Sequence, residues 1–224
     1  MGYSKRLKII FSHLKKAETF ADVGCDHGYA TEYMLQNGLC KRAVFSDISK
    51  GSLQKAEILL KEYVELGVAI PVLGDGFYGV PNTTEEVLIA GMGGSEIIGI
   101  LSHPVYGFMP EKFVFQPMKD GEKLRRYLLD HGGFIERDYT FEDGKYYEMI
   151  CGRKRFDEPR QLYSDLEIEF GKENLSFKPQ AFVKRMQKLL ADLDGYLQLE
   201  VSEESKKELL SRREKIKEAL SYGT

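Results

Sequence analysis

Phe20-Ala21-Asp22-Val23-Gly24-Cys25-Asp26-His27-Gly28-Tyr29 decides the fold. A short apolar strand closes on an acid and a glycine, and a polar turn follows. Ala30-Thr31-Glu32-Tyr33-Met34-Leu35 then reads as a helix. Strand, glycine turn and helix in this order form the first unit of a nucleotide-binding α/β domain. Gly24 lets the chain bend sharply, and Gly28 allows close packing where the helix starts. Backbone N–H groups at that turn can meet a carboxylate or a phosphate.

The same alternation continues on both sides of this stretch. Before it, Leu7, Ile10, Phe11 and Leu14 repeat at helical spacing over residues 4–16. After it, Ala43–Asp47 reads as a strand ending in an acid, and Ser52–Glu65 as one helix closed by Gly67. A third strand over 70–73 contains Pro71, which suits a sheet edge. Val87-Leu88-Ile89-Ala90 is continuously apolar, as a buried parallel strand is, and runs into Gly91-Met92-Gly93-Gly94. Residues 95–101 form a helix, Phe113–Pro117 a fifth strand, and 122–131 a helix stopped by Gly132-Gly133. Residues 134–141 and 146–151 flank a Gly144 turn and form an antiparallel hairpin.

Past Arg153-Lys154-Arg155 the pattern is helical to the end. Phe182, Met186, Leu189, Leu193 and Tyr196 make a short heptad seam, with Pro179 at the first turn, and Ser202 opens a last helix. The expected architecture is α/β: a Rossmann-like sheet with an antiparallel edge hairpin, plus a C-terminal helical hairpin or coiled coil. The expected domains are 1–155 and 156–224.

Bulk properties narrow the function classes. The 224 residues suffice for one α/β domain and a small appendage. No apolar run reaches the roughly 18 residues of a membrane helix, and no leader pattern opens the chain, so a cytoplasmic location is expected. Cys25, Cys40 and Cys151 are far apart, with no C-x-x-C pair, so neither a disulfide framework nor a metal site is expected. The net charge of −3 is uneven: residues 171–224 hold 11 Lys+Arg against 9 Asp+Glu. Lys5, Arg6, Lys8, Lys15 and Lys16 face only Glu18 at the start. Such local basic patches can bind phosphates on an acidic protein, or simply be solvated helix faces.

Several residues at strand ends can carry chemistry. Asp47 stands where a carboxylate accepts both hydroxyls of a ribose, or caps the next helix. Asp75-Gly76 follows the third strand as an acid near a base edge or as a plain turn. The glycines at 91, 93 and 94 allow backbone to approach a ligand. Asp26 beside His27 can do acid–base work near neutral pH, with helix capping as the structural alternative. Gln116, before Pro117, can read a base edge with its paired donor and acceptor.

The spacing D-x-G-x-D-x-G over residues 22–28 is close to the loop with which many methyltransferases hold S-adenosylmethionine (SAM), with Asp26 in place of the middle glycine. Together with Ile89-Ala90-Gly91-Met92-Gly93-Gly94, Gln116-Pro117, Tyr146-Tyr147-Glu148 and Glu169-Phe170-Gly171, it resembles the bacterial tRNA (adenine-22 N1)-methyltransferases over nearly the whole chain. Cys25 replaces a frequent Ser of that family, and Gly28-Tyr29-Ala30-Thr31 a frequent Ala-Tyr-Leu-Pro.

The resemblance implies SAM as cofactor, no metal, and methyl transfer to N1 of adenine 22 in the tRNA D-loop. The cofactor set so expected is Asp22, Gly24, Cys25, Asp47, Ile48, Asp75, Gly76, Gly91, Met92 and Gly93. Asp26, His27 and Tyr29 are the expected catalytic group. Gly94, Gln116 and Pro117, with the basic Lys5, Arg6, Arg153, Arg155, Lys184 and Arg185, are expected on the tRNA, joined by Lys154, Lys188, Arg212 and Arg213. Two other readings stay open: a small-molecule methyltransferase on the same core, and a non-catalytic SAM- or RNA-binding module. An NAD enzyme is a more distant rival. Oligomeric state is left open, with a monomer as the working expectation.

Overall fold

The computed structural model describes residues 2–199 and 202–223. Helix α1 (Lys5–Phe11) is capped by Ser4, whose hydroxyl accepts from Leu7 N. It is followed by β1 (Thr19–Val23), α2 (Tyr29–Gln36) and β2 (Arg42–Asp47). Next come α3 (Lys50–Leu59), α4 (Lys61–Glu65), β3 (Ala69–Leu73), β4 (Glu86–Ala90), α5 (Gly94–Leu101) and β5 (Lys112–Gln116). Helix α6 (Gly121–Asp130) leads to the hairpin β6 (Gly133–Asp143) and β7 (Lys145–Lys154). The order in the seven-stranded sheet is β3-β2-β1-β4-β5-β7-β6. Strands β1 to β5 pair in parallel, and β7 runs antiparallel to β5, opposing Phe115 to Ile150.

The strand order reverses between β1 and β4. Connections leave these two carboxyl ends in opposite directions, which opens the crevice where ligands of such sheets bind. Central β4 buries Glu86 through Ile89, matching its apolar run. Strand β3 forms an edge, so the missing N–H of Pro71 breaks no interior ladder. The helix expected over 52–65 is divided at Leu60. This residue is fully buried with Ala56, and both pack where Gly28 opens α2. Hydrogen bonds Leu60 N to Ala56 O and Val64 N to Leu60 O bridge the break.

The chain divides into two compact units, Met1–Arg137 with Met149–Gln161, and Asp138–Glu148 with Leu162–Thr224. The boundary thus differs from the expected 155/156: the hairpin tip goes with the helices. Within this second unit, buried Asn174 accepts from Thr140 N at 2.8 Å and donates to Thr140 Oγ1 at 3.0 Å. Lys172 N donates to Asp138 Oδ2 at 3.1 Å. The unit contains α7 (Asp165–Phe170), α8 (Lys172–Phe177), α9 (Gln180–Tyr196) and α10 (Glu203–Ser221). Ser164 and Glu167 form a capping box that starts α7. Phe170, Leu175, Phe182, Met186, Ile216 and Ala219 make its core, with Leu189 and Leu193 half-buried. The heptad seam ends at Tyr196, which is exposed. Among the described residues, no helix is long and apolar enough to cross a membrane.

Candidate active site

The loop after β1 hangs from β2. Gly24 N and Cys25 N both donate to the Ser46 carbonyl, at 2.8 and 2.9 Å. Gly24 has φ +73°, and a Cβ there would lie 2.4 Å from Met92 Cε. The positive φ calls for glycine at this turn, and the absent Cβ leaves room for the tip of the Met92 side chain. Asp26 adopts the left-handed conformation, with φ +49°. Its N–H donates to Asp47 Oδ2 at 3.1 Å, while Asp47 Oδ1 accepts Ser49 N at 2.8 Å. Each Asp47 oxygen retains acceptor capacity for a ligand hydroxyl. Asp26 Oδ2 meets His27 Nδ1 at 2.8 Å. The His27 ring lies parallel to Tyr29, with centroids 5.5 Å apart.

A cavity of about 930 Å³ opens at the carboxyl ends of the strands. Of the expected cofactor residues, Gly24, Asp47, Ile48, Asp75, Gly76, Gly91 and Met92 line it, joined by Asp26. The wall also includes the Ser46 side of β2, whose Oγ is buried without a hydrogen-bond partner. Paired acceptors on Asp47, a second acid on Asp75, apolar Ile48 and a glycine cradle fit the ribose and base of a nucleoside. Among the described residues, no cluster of His, Cys, Asp and Glu could hold a metal ion.

Three expected cofactor residues lie outside this lining. Asp22 is buried and accepts the Thr31 hydroxyl at 3.1 Å. Burial pushes its carboxyl up to about 7; hydrogen bonds from Thr31 oppose the rise, and the nearby Asp47 and Asp26 add to it. It braces β1 against α2. Cys25 points into the core with Phe45, Leu53, Ala56 and Leu60, and burial raises its thiol pKa. Gly93 spends its N–H on Glu96 Oε2, at 2.5 Å, to start α5.

Expected substrate and catalytic positions also sort by geometry. Gly94 packs on the β5–α6 connection, where a Cβ would lie 2.3 Å from the Asp120 carbonyl oxygen. Gln116 and Pro117 are buried and outside the cavity lining. The Gln116 amide is used internally: Oε1 accepts Arg6 Nε at 2.8 Å, and Nε2 donates to the Pro117 carbonyl at 3.0 Å. Both ends of the amide thus face protein partners in place of the expected base edge. His27 and Tyr29 lie outside the lining, and Tyr29 packs edge-on against Tyr3 at 6.0 Å.

Arg6, expected on a phosphate-binding surface, instead lines the cavity, with one guanidinium nitrogen 3.2 Å from where a Gly91 Cβ would stand. Its place four residues before buried Ile10, on the apolar side of α1, was the available signal. Lys5 is exposed on α1. Arg153 pairs with Glu158 and Glu136, and Arg155 is half-buried. In the second unit, Lys184 meets Glu142 and Arg185 meets Glu148, while Arg212 pairs with Glu169 and Arg213 with Asp194. Lys188 is exposed. Sequence reasoning missed Ser46 and Glu96. It also missed the wall of Tyr78, Ile100, His103 and Tyr106, which no motif marks.

The family described as "Methyltransferase domain" matches residues 3–150. Over 98% of both chains, the sequence is 26% identical to the tRNA (adenine(22)-N(1))-methyltransferase of Bacillus subtilis. The chain belongs to the tRNA (adenine-22 N1)-methyltransferase family. Among solved structures, this methyltransferase is similar to a Streptococcus pneumoniae protein in complex with S-adenosyl-L-methionine. That match has 26% identity and a TM-score of 0.85, and covers 98% of this chain and 100% of that one. The fold of M. capricolum TrmK, in complex with S-adenosyl-homocysteine, matches with a TM-score of 0.86 at 23% identity, over 98% of each chain.

Proposed function

We propose that this enzyme transfers the methyl group of SAM to N1 of adenine 22 in tRNA, in the cytoplasm. The observation that carries the reading is the convergence of Asp26, Asp47 and Asp75 on one glycine-cradled cavity at the sheet's switch point, in a chain of this family.

Bound SAM supplies an electrophilic methyl on a sulfonium centre. Asp47 holds the ribose hydroxyls, Asp75 accepts from the adenine amine of the cofactor, and Ile48 covers the ring's apolar face. The Gly24 turn lets Met92 close on the same ligand.

The target N1 edge is normally paired or stacked, so the nucleotide is turned out of its helix to reach the cavity. Positioning the neutral N1 of the target adenine in line with the methyl group of a sulfonium cation supplies much of the rate. Methylation leaves positive charge on the target base, and the Asp26 carboxylate stabilises that charge or takes a proton from N6. His27 Nδ1–H fixes Asp26 Oδ2, which leaves Oδ1 for this task. Arg6, held by Gln116, adds a fixed positive charge at the Gly91 side.

The basic residues of the N-terminal helix, Arg153 to Arg155 and the α9–α10 pair contact tRNA phosphates. Those already in ion pairs exchange an intramolecular acid for a phosphate, which tunes affinity downward.

Incubation with methyl-labelled SAM and unmodified tRNA, followed by mapping of the modified base, tests the reading. Label at N1 of adenine 22 supports it. Label on small molecules alone, or none despite cofactor binding, selects one of the two rival readings.

A further inference from the structure

The cavity has an aromatic wall that the proposed chemistry does not use. It is made by Tyr78, after β3, and by His103 and Tyr106, in the loop after α5. Tyr106 lies parallel to His103 at 5.1 Å, and Tyr78 meets Tyr106 edge-on at 5.4 Å. Tyr78 and Tyr106 remain 49% and 41% exposed, and neighbouring Val105 is 72% exposed.

The wall is braced before any ligand arrives. His103 Nδ1 accepts the N–H groups of Val105 and Tyr106, at 3.3 and 3.2 Å. Its ring proton therefore sits on Nε2. Gly107 N closes the turn on the His103 carbonyl at 2.8 Å, and a Cβ at Gly107 would lie 2.5 Å from His103 N. Below, Phe77 stacks on Phe108 at 4.3 Å. Tyr78 covers Gly74, where a Cβ would fall 2.4 Å from its ring. Half-exposed aromatic rings are thus fixed in place at the cavity with their ordering cost met in advance.

We infer that Tyr78, His103 and Tyr106 form a stacking platform for an unpaired base of the RNA substrate, distinct from the adenine that receives the methyl group. This rests on the tRNA methyltransferase reading. RNA loops are recognised by bases splayed onto aromatic faces, and such stacking tolerates any base because each has a π-face. A cavity of about 930 Å³ lies near the upper end for a single small ligand, about 300–1,000 Å³. This one receives a cofactor and a nucleotide together. The wall stands beside Asp75, since Tyr78 N donates to the Asp75 carbonyl at 3.0 Å. Arg6 and Met92 mark the Gly91 end.

The experiment compares wild type with Tyr106→Ala, Tyr78→Ala and Tyr106→Phe. It measures KM and kcat for tRNA, Kd for S-adenosyl-homocysteine by calorimetry, and Tm. Tyr106→Ala is expected to raise KM for tRNA about 10-fold, the loss of one stacked base. S-adenosyl-homocysteine affinity stays unchanged, and Tyr106→Phe restores KM. If Tyr106→Ala folds poorly, Tyr78→Ala carries the same expectation. Weakened S-adenosyl-homocysteine binding with unmoved KM for tRNA would assign the wall to the cofactor's own adenine and overturn the inference. Unmoved KM and Kd in both Ala variants would reduce the wall to packing and overturn it too. Failure of the wild type to methylate tRNA would instead remove the underlying reading.

Discussion

Gln116 holds Arg6 in the active-site cavity: Arg6 Nε donates to Gln116 Oε1 at 2.8 Å, while the far end of the buried amide is tied to the Pro117 carbonyl. A residue at the end of β5 thereby fixes a guanidinium delivered by α1, more than a hundred residues earlier. Gln116→Leu removes one acceptor of this cation, a hydrogen bond of about 1.5–3 kcal/mol. The expected result is a fall of about 10- to 100-fold in kcat/KM for methyl transfer, with Tm lowered by only a few degrees. Unchanged kinetics would show that Arg6 needs no such support.

In the proposed mechanism Asp26 sets function against stability. Its φ of +49° is left-handed, a conformation that Asp tolerates better than most side chains but that glycine adopts without strain. Asp26→Gly relieves this and keeps the N–H that bonds Asp47. It is expected to raise Tm by roughly 2–4 °C. Methyl transfer should fall about 100-fold, as when one stabilising group is lost from a site of developing charge. Calorimetry with S-adenosyl-homocysteine should show near wild-type affinity. Undiminished turnover would take Asp26 out of the mechanism.

Gly28 is a packing constraint independent of chemistry. It has φ +74°, and a Cβ would lie 2.9 Å from the Ala56 Cβ. Gly28→Ala therefore combines backbone strain with a clash between two elements that cannot retreat cheaply. Thermal denaturation should show a loss of at least 1 kcal/mol, the amount by which a left-handed position disfavours alanine.

Two buried acids set the pH dependence of stability. Burial raises Asp22 from 3.8 to about 7, and Glu86 from 4.5 to about 7. Between these values the folded state binds more protons than the unfolded chain, so stability falls as pH rises from about 4 to about 7. Denaturant titrations over that window should show the decline. Asp22→Asn should remove part of it, and Asp22→Asn with Glu86→Gln most of it. A rise in wild-type stability over the same window would contradict this placement of the two carboxyls.

The ion-paired basic residues of the helical unit make a prediction about salt. Arg185 bonds Glu148 at 2.8 Å. As a phosphate contact, Arg185→Ala should weaken tRNA binding and reduce the slope of log affinity against log salt by about 1. An unchanged slope would leave Arg185 as a purely internal partner of Glu148.

Much of this protein is local in origin and was legible in its sequence. The run Val87–Ile89 specifies a buried parallel strand because both its faces are apolar. Gly24 and Gly28 specify the turn because few other residues adopt positive φ there. Asp47 and Asp75 follow strands by simple counting, and the family motifs fix the class of chemistry. Tertiary structure decided what depends on distant segments meeting. It turned Asp22 and Cys25 into the core, broke the helix at Leu60, assigned the hairpin tip to the helices, spent the Gln116 amide on Arg6, and gathered Tyr78, His103 and Tyr106 into one wall. The reason is physical: periodicity records which face of an element is apolar, whereas a side chain's partner is set by packing between elements, which short-range pattern does not encode.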